Sequence, residues 1–341
     1  RRNPRPIPAG TLGPMTTEPP GQPRAGAIAS PGSVSPIGVV IPAYNSVRTL
    51  GAALASVAAQ TLTPATVVVG DDHSDDDTAA LARRWQGLLP VEVVRLERNS
   101  GPAAARRTAI ARIDAPLIAL LDADDVWLPD HLASLAALHA RAGGIVCADA
   151  LRWHPGEGVR EATQRANFPI PPPDHQLLDI LRHNFVSIGA LFPRAAYEDV
   201  GGFRDGVSGA EDWDLWIRLI RAGLRVHGVA APTLLYRVES SGLSHRTDIF
   251  DTYARVLERA VKEAGDGRQR AVAQEALGWM RKRRALAAAY THARAGRPWQ
   301  ARGAALACLP GSPRFSLEAG LILASPSLAI RIGDALRRRR W

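Results

Sequence analysis

The chain holds 341 residues, 46% of them hydrophobic and 22% charged, with a formal net charge of +9. That is enough apolar material for a full core in one large domain with an appendage, and it excludes a disordered or fibrous chain. Its two cysteines, Cys147 and Cys308, lie far apart with no partner at metal-ligand spacing, which excludes a disulfide framework and a structural zinc site and fits a reducing cytosol.

Residues 1–36 carry 9 of the 26 prolines and lack the apolar core of a signal peptide, so a flexible leader is expected over 1–35, with Met15 as the natural start. From Ile37 the pattern alternates: strand Ile37–Ile41, helix Val47–Gln60, strand Thr66–Val69, helix Asp76–Trp85, strand Val91–Leu96, helix Pro102–Ile113 and strand Leu117–Leu121. Repeated units of this kind predict an α/β fold with a mostly parallel sheet flanked by helices, binding ligands beyond the carboxyl ends of its strands. The polar clusters fall there: Tyr44 and Asn45, then Asp71 and Asp72, then Asn99 and Gly101, then Asp122, Asp124 and Asp125.

A helix Asp130–Arg141 and a strand Ile145–Ala148 come next, and a Pro- and Gly-rich loop from His154 to Pro173 is expected to form an acceptor-facing lid. A helix around Leu177–Arg182, a segment Phe185–Phe192, the Gly201-Gly202-Phe203 turn and a helix Trp213–Ala222 follow, and beyond about Phe250 only helices are expected. The expected domains are therefore a 1–35 leader, a catalytic domain over 36–248 and a basic helical extension over 249–341. From Arg281 to Trp341 there are 13 Arg and Lys against only Glu318 and Asp334. This confined, helically spaced excess points to anionic lipid headgroups rather than nucleic acid, with a merely solubilising helix as the plain alternative. No run of about 20 apolar residues spans a bilayer, since Phe315–Ile332 is broken by Glu318 and Pro326. A cytoplasmic protein is expected, with peripheral attachment at the inner face of the plasma membrane through this tail.

Three carboxylates within Asp122–Asp125 repel one another unless a positive charge sits among them, which suits Mg²⁺ or Mn²⁺ and diphosphate chemistry, although one of them could cap the following helix. Asp124 is the leading ligand candidate. Asp71 or Asp72 could accept hydrogen bonds from a nucleotide or cap the next helix. Arg106 and Arg107, one turn into a helix, read either as an anion clamp or as ordinary surface arginines. In Glu211-Asp212-Trp213-Asp214, Trp213 and Trp216 follow core spacing, and the acids sit where a helix dipole stabilises them with or without chemistry.

These segments together resemble family 2 glycosyltransferases of the GT-A fold, over roughly Pro36 to Ser244. The resemblance rests on VVIPAYN at Val39–Asn45, DDHSDDDT at Asp71–Thr78, NSGPAAARR at Asn99–Arg107, DADD at Asp122–Asp125, GGF at Gly201–Phe203, AEDWDLWIRL at Ala210–Leu219 and YRVESSGLS at Tyr236–Ser244. It implies an inverting, metal-dependent hexosyltransferase of polysaccharide or cell-envelope synthesis. Such an enzyme moves a sugar from a nucleoside diphosphate sugar to a hydroxyl of a glycan, lipid-linked or small-molecule acceptor. By position it implies nucleotide contacts at Pro42, Tyr44, Asp72, Arg106 and Asp122, a divalent ion at Asp124 with Asp122, Asp212 as general base, and donor or acceptor support from Asp125, Glu211 and Trp213. The chain departs from the family pattern at His73, where Gly is usual, at Arg107, where Asn is frequent, and at Glu239, often His. The rival readings are a non-catalytic nucleotide-sugar-binding protein of the same fold docked at a membrane, and a sugar nucleotidyltransferase, which would need a Gly-rich basic loop where Pro42-Ala43-Tyr44-Asn45 stands. No G-x-G-x-x-G follows a strand, which excludes a dehydrogenase.

Overall fold

The computed structural model describes residues 37–156, 158–163, 169–187, 189–238, 249–309, 313–330 and 332. The expected leader, residues 164–168 of the expected lid, the segment holding Glu239 and His245, and the Arg337–Arg340 run lie outside the described residues.

In chain order the elements begin β1 (Ile37–Ala43), α1 (Leu50–Ala58), β2 (Thr66–Asp71), α2 (Thr78–Arg83), β3 (Val91–Arg95), α3 (Pro102–Ile110), β4 (Leu117–Leu120), β5 (Val126–Trp127) and α4 (His131–Ala142). They continue with β6 (Ile145–His154), β7 (Gly158–Thr163), α5 (Gln176–Ile180), β8 (Ala190–Pro193), α6 (Arg194–Asp199), α7 (Glu211–Arg221) and β9 (Val226–Arg237). The helices α8 (Ile249–Lys262), α9 (Gly267–Arg294), α10 (Pro298–Leu306) and α11 (Pro313–Ala324) complete the described chain, apart from helical residues 326–330. Two compact units result. Among the described residues, the first takes in those up to Pro173, Phe185–Arg204 and those from Arg218 to Val238; the second takes Asp174–Asn184, Asp205–Ile217 and those from Ile249.

The first unit is a mixed sheet in the order β3-β2-β1-β4-β8-β6-β9-β5, with β7 paired to β6. β3, β2, β1 and β4 run parallel, and β8 reverses direction beside β4. Every residue of β1 is buried, as an apolar run covered on both faces requires. Ile37, Val39 and Ile41 join Leu50, Leu54, Val67, Val69, Trp85 and Leu121 in one core. Gly70 sets how near α3 comes to β2: a Cβ there would lie 2.5 Å from the carbonyl oxygen of Ala105. That close approach carries Arg106 toward the strand ends.

The stretch read as a long loop differs from expectation. β6 continues to His154 and turns back into β7, pairing Trp153 with Val159 and His154 with Gly158. Pro155 and Gly156 make a hairpin turn, with Gly156 at φ 84°, so the same residue types that signal a loop here close a hairpin. β9, parallel to β6, was masked by Gly228 and Pro232; shifts of register around Asp149 accommodate the proline without a ladder donor.

The second unit is helical, as expected beyond Phe250. Asp266 caps α9 by accepting a 2.7 Å hydrogen bond from the N–H of Gln269. Leu286 and Ala289 of α9 pack with Ala301 and Ala305 of α10, Cys308, and Ala319 and Ile322 of α11 in a small core. Among the described residues no helix is long and apolar enough to cross a membrane.

Candidate active site

The loop after β1 is built against the loop after β2. Asn45, at φ 48°, donates its N–H to Ser74 Oγ at 2.9 Å and accepts from the N–H of Asp75 at 2.8 Å through Oδ1. The Ser46 N–H donates to Thr78 Oγ1 at 2.7 Å. Asp76 accepts from the N–H groups of Val47 and Thr78 and from the Thr78 hydroxyl. Partial burial works against the charge on Asp76, yet these bonds hold its carboxyl below the usual range. Pro42 is buried beneath this corner while Tyr44 stands 46% exposed.

Asp71 and Asp72, interchangeable by sequence, differ sharply in surroundings. Asp71 is fully buried, accepts from the Ser74 N–H at 3.1 Å and pairs with Arg95 at 3.2 Å, so it braces its own turn. Asp72 accepts 2.7 Å bonds from the N–H of Ser100 and from the N–H of Gly101, one on each carboxylate oxygen. It thereby ties the second loop to the third and sets the start of α3. His73 sits at φ 63°, the left-handed region that favours Gly, and its Nδ1 lies 3.1 Å from the Leu96 carbonyl. A carbonyl only accepts, so Nδ1 carries the proton.

The carboxylates after β4 are divided in their tasks. Asp122 meets Arg106 at 2.6 Å, and Arg106, only 4% exposed, lies 5.8 Å from the Phe203 ring centroid. The neighbouring Arg107 donates to the Phe203 carbonyl at 3.1 Å, so both arginines reach the Gly201-Gly202-Phe203 turn. Asp125 is buried and accepts from the Arg237 N–H at 2.9 Å, and among the described residues its Oδ2 has no hydrogen-bond partner. Burial first, then repulsion from Asp124 and Asp122, pushes its carboxyl well above the usual range. Asp124 is exposed at the strand end. Arg237 holds this loop from the far side, donating Nε–H to the Asp124 carbonyl at 2.8 Å while its guanidinium stacks 4.1 Å over Trp153.

Among the described residues no three His, Cys, Asp or Glu side chains form a metal-binding cluster. The donor set here is one exposed carboxylate with a second, partly exposed one engaged by an arginine. That fits a hard ion of the Mg²⁺ or Mn²⁺ type, which binds through one or two carboxylates and takes its remaining ligands from water and phosphate.

In the second unit the acids of α7 also separate. Glu211 is buried and accepts the Gly209 N–H at 2.6 Å, fixing the turn that leads into its helix. Asp214 is buried, with Arg259 at 3.9 Å. Asp212 is half-buried and accepts from Asn184 Nδ2 at 2.9 Å. Trp213 is a core residue, donating Nε1–H to the Ile180 carbonyl at 2.7 Å and meeting Tyr253 edge-on at 5.6 Å. Burial, and then the charge of Asp212, pushes the Tyr253 hydroxyl up to about 12.

The mixed, mainly parallel sheet flanked by helices is of the GT-A class of fold. The family model for Glycosyl transferase family 2 matches residues 38–201. The chain is 34% identical over 229 residues to the Succinoglycan biosynthesis protein ExoU of Rhizobium meliloti (strain 1021), an alignment covering 61% of this chain and 64% of that protein. Its fold is similar to that of S. aureus TarS 1-349, solved in complex with UDP-GlcNAc, with a TM-score of 0.59 at 18% identity over 89% of this chain and 91% of that one. It is similar also to the mannosyltransferase PcManGT from Pyrobaculum calidifontis, solved with GDP-Man and Mn²⁺, with a TM-score of 0.57 at 21% identity over 91% and 84% of the two chains. Over the matched residues the chain is thus similar to family 2 glycosyltransferases, and it spans a little under two thirds of the length of ExoU.

Several residues of these surroundings had no signal in the sequence reading. Arg95, Trp153, Asn184 and Tyr253 act through distant partners. Arg237 and Ser100 stand within the YRVESSGLS and NSGPAAARR segments, and that membership was the one available clue.

Proposed function

We propose that this chain transfers a sugar from a nucleoside diphosphate sugar to a hydroxyl acceptor in polysaccharide synthesis, by single displacement with inversion at the anomeric carbon. The observation that carries the reading is the division of labour after β4: Asp122 is bound to Arg106, Asp125 is buried on the Arg237 N–H, and Asp124 faces solvent. The nucleotide sugars named with TarS and PcManGT support the donor class. ExoU, by its name a succinoglycan biosynthesis protein, supports a glycan or lipid-linked glycan as acceptor.

In this reading Pro42, Tyr44 and Asp72 belong to the nucleotide-binding corner. Asp72 keeps a second lone pair on each oxygen for the ligand while holding the third loop in place. Arg106 holds Asp122 in place and adds positive charge near the departing phosphates. Asp124 and Asp122 would hold the divalent ion, which when bound supplies Lewis-acid stabilisation of the diphosphate leaving group. Asp212 takes the proton of the attacking hydroxyl, for it is the acid of its cluster that keeps access to solvent. Asn184 orients that carboxylate, while Glu211 and Trp213 fix the helix that presents it. The reacting sugar passes through an oxocarbenium-like state as the new bond forms on the face opposite the leaving group.

Asp212→Asn tests the base. Transfer is expected to fall by about 10²–10⁴-fold, with donor affinity within about twofold of the parent by calorimetry. Full transfer activity in that variant would remove Asp212 from the role.

A further inference from the structure

The last helices of the second unit carry apolar side chains that stand exposed among the described residues. α10 turns Ala301 and Ala305 into the small core. By helical periodicity its opposite side presents Trp299 and Leu306, seven residues apart and therefore stacked two turns along one face. Trp299 is 80% exposed and Leu306 57% exposed. Arg302 lies between them, its guanidinium 5.4 Å over the Trp299 ring, and donates to the carbonyls of Leu323 and Ala324 at the end of α11. Leu309 just beyond α10 and Leu317 on α11 are exposed as well. Arg294 and Arg297, both exposed, lead into α10.

A lone surface leucine needs no explanation, but an indole and a leucine on one helical face beside stacked arginine are a different case. They also sit in the part of the chain that holds its positive excess, 13 Arg and Lys against two acids from Arg281 onward. We propose that the α10 face centred on Trp299 and Leu306 docks on the surface of an anionic phospholipid bilayer. The indole suits the interface because its ring is apolar and its N–H polar, and Arg294, Arg297 and Arg302 lie close enough in sequence to meet headgroup phosphates. A second copy of the chain is the poorer occupant, since two such basic surfaces repel. Attachment lies in the plane of the membrane, without a spanning helix among the described residues. The inference is independent of the transferase reading, for it uses neither the donor corner nor Asp212.

Flotation of the full chain with vesicles rich in phosphatidylglycerol, against vesicles of phosphatidylcholine alone, tests it. Binding is expected only to the anionic vesicles and is expected to weaken as salt rises. Trp299→Ala combined with Leu306→Ser should lower the partition coefficient by about tenfold while helicity and melting temperature stay at parental values. Replacing Arg337–Arg340 with Gln serves as the comparison, and retention of most binding there supports the α10 face. The proposal is overturned if the parent ignores anionic vesicles, if the double variant binds as well as the parent, or if the Arg337–Arg340 variant alone abolishes binding. It is equally overturned if sedimentation shows a dimer that the double variant dissolves.

Discussion

Asp122 and Asp124 are two residues apart and carry the same group, yet they differ in exposure. Asp122 faces the nearly buried Arg106 at 2.6 Å, whereas Asp124 is exposed. Removing an arginine from a buried pair strands a carboxylate; with the Asp122 side chain 27% exposed, water recovers part of that cost. Arg106→Ala is therefore expected to destabilise the first unit by about 1–3 kcal/mol in urea unfolding, beyond what a surface arginine would cost. A change below about 0.5 kcal/mol would mean the pair contributes no more than a surface contact. The same contrast separates Asp71 from Asp72. Sequence marks both as acids after a strand, but the partners are the Ser74 N–H and the Arg95 guanidinium for Asp71, and the N–H groups of Ser100 and Gly101 for Asp72. Backbone donors nearly thirty residues away leave no trace in side-chain identity, so these roles were illegible.

At the scale of elements, what sequence could tell followed burial. β1, β2 and β4 are covered on both faces and so appear as unbroken apolar runs, and the polar clusters follow them directly. β9 did not appear because its exposed middle, with Gly228 and Pro232, breaks both alternation and run. The Gly201-Gly202-Phe203 turn was legible as a motif, and its physics is local. Gly202 has φ 64°, and a Cβ there would sit 2.7 Å from the Tyr197 hydroxyl. Arg218 of α7 donates to the carbonyls of Val200 and Gly202 at 2.7 Å, locking the turn. Gly202→Ala should thus cost about 2–4 kcal/mol and lower the melting temperature by several degrees, and an unchanged melting curve would contradict this. The start of α4 contributes a pH dependence. His131 is fully buried, stacked 4.5 Å from Trp127, with Nδ1 2.8 Å from Thr233 Oγ1, and burial takes its pKa from 6.5 to about 3. In that interval the unfolded chain binds the proton and the folded chain does not, so this contribution to stability is present above about pH 6.5 and is lost as pH falls toward about 3. His131→Phe, which keeps the stacking, should make the acid limb of the stability curve shallower by about 1.4 kcal/mol per pH unit across that interval. An acid limb identical to the parent's would show that His131 is not the group responsible.

The whole molecule separates its charge by region. Residues 1–280 hold 29 Arg and Lys against 31 Asp and Glu, close to balance, while the remainder is strongly basic. The near-neutral part carries the sheet and its aspartate loop, and the basic part the helices with exposed Trp299. Donor chemistry and surface attachment are thus open to separate measurement. The central claim is that the carboxylates after β4 hold a divalent ion together with a sugar donor's diphosphate, and thermal shift with UDP-sugars and GDP-sugars, with and without Mn²⁺, tests it most directly. The account predicts that at least one donor raises the melting temperature only when Mn²⁺ is present. It predicts further that Asp124→Asn, at an exposed position, melts like the parent without ligand and loses that shift. A shift of the same size in Asp124→Asn, or one in the parent that needs no divalent ion, would contradict it.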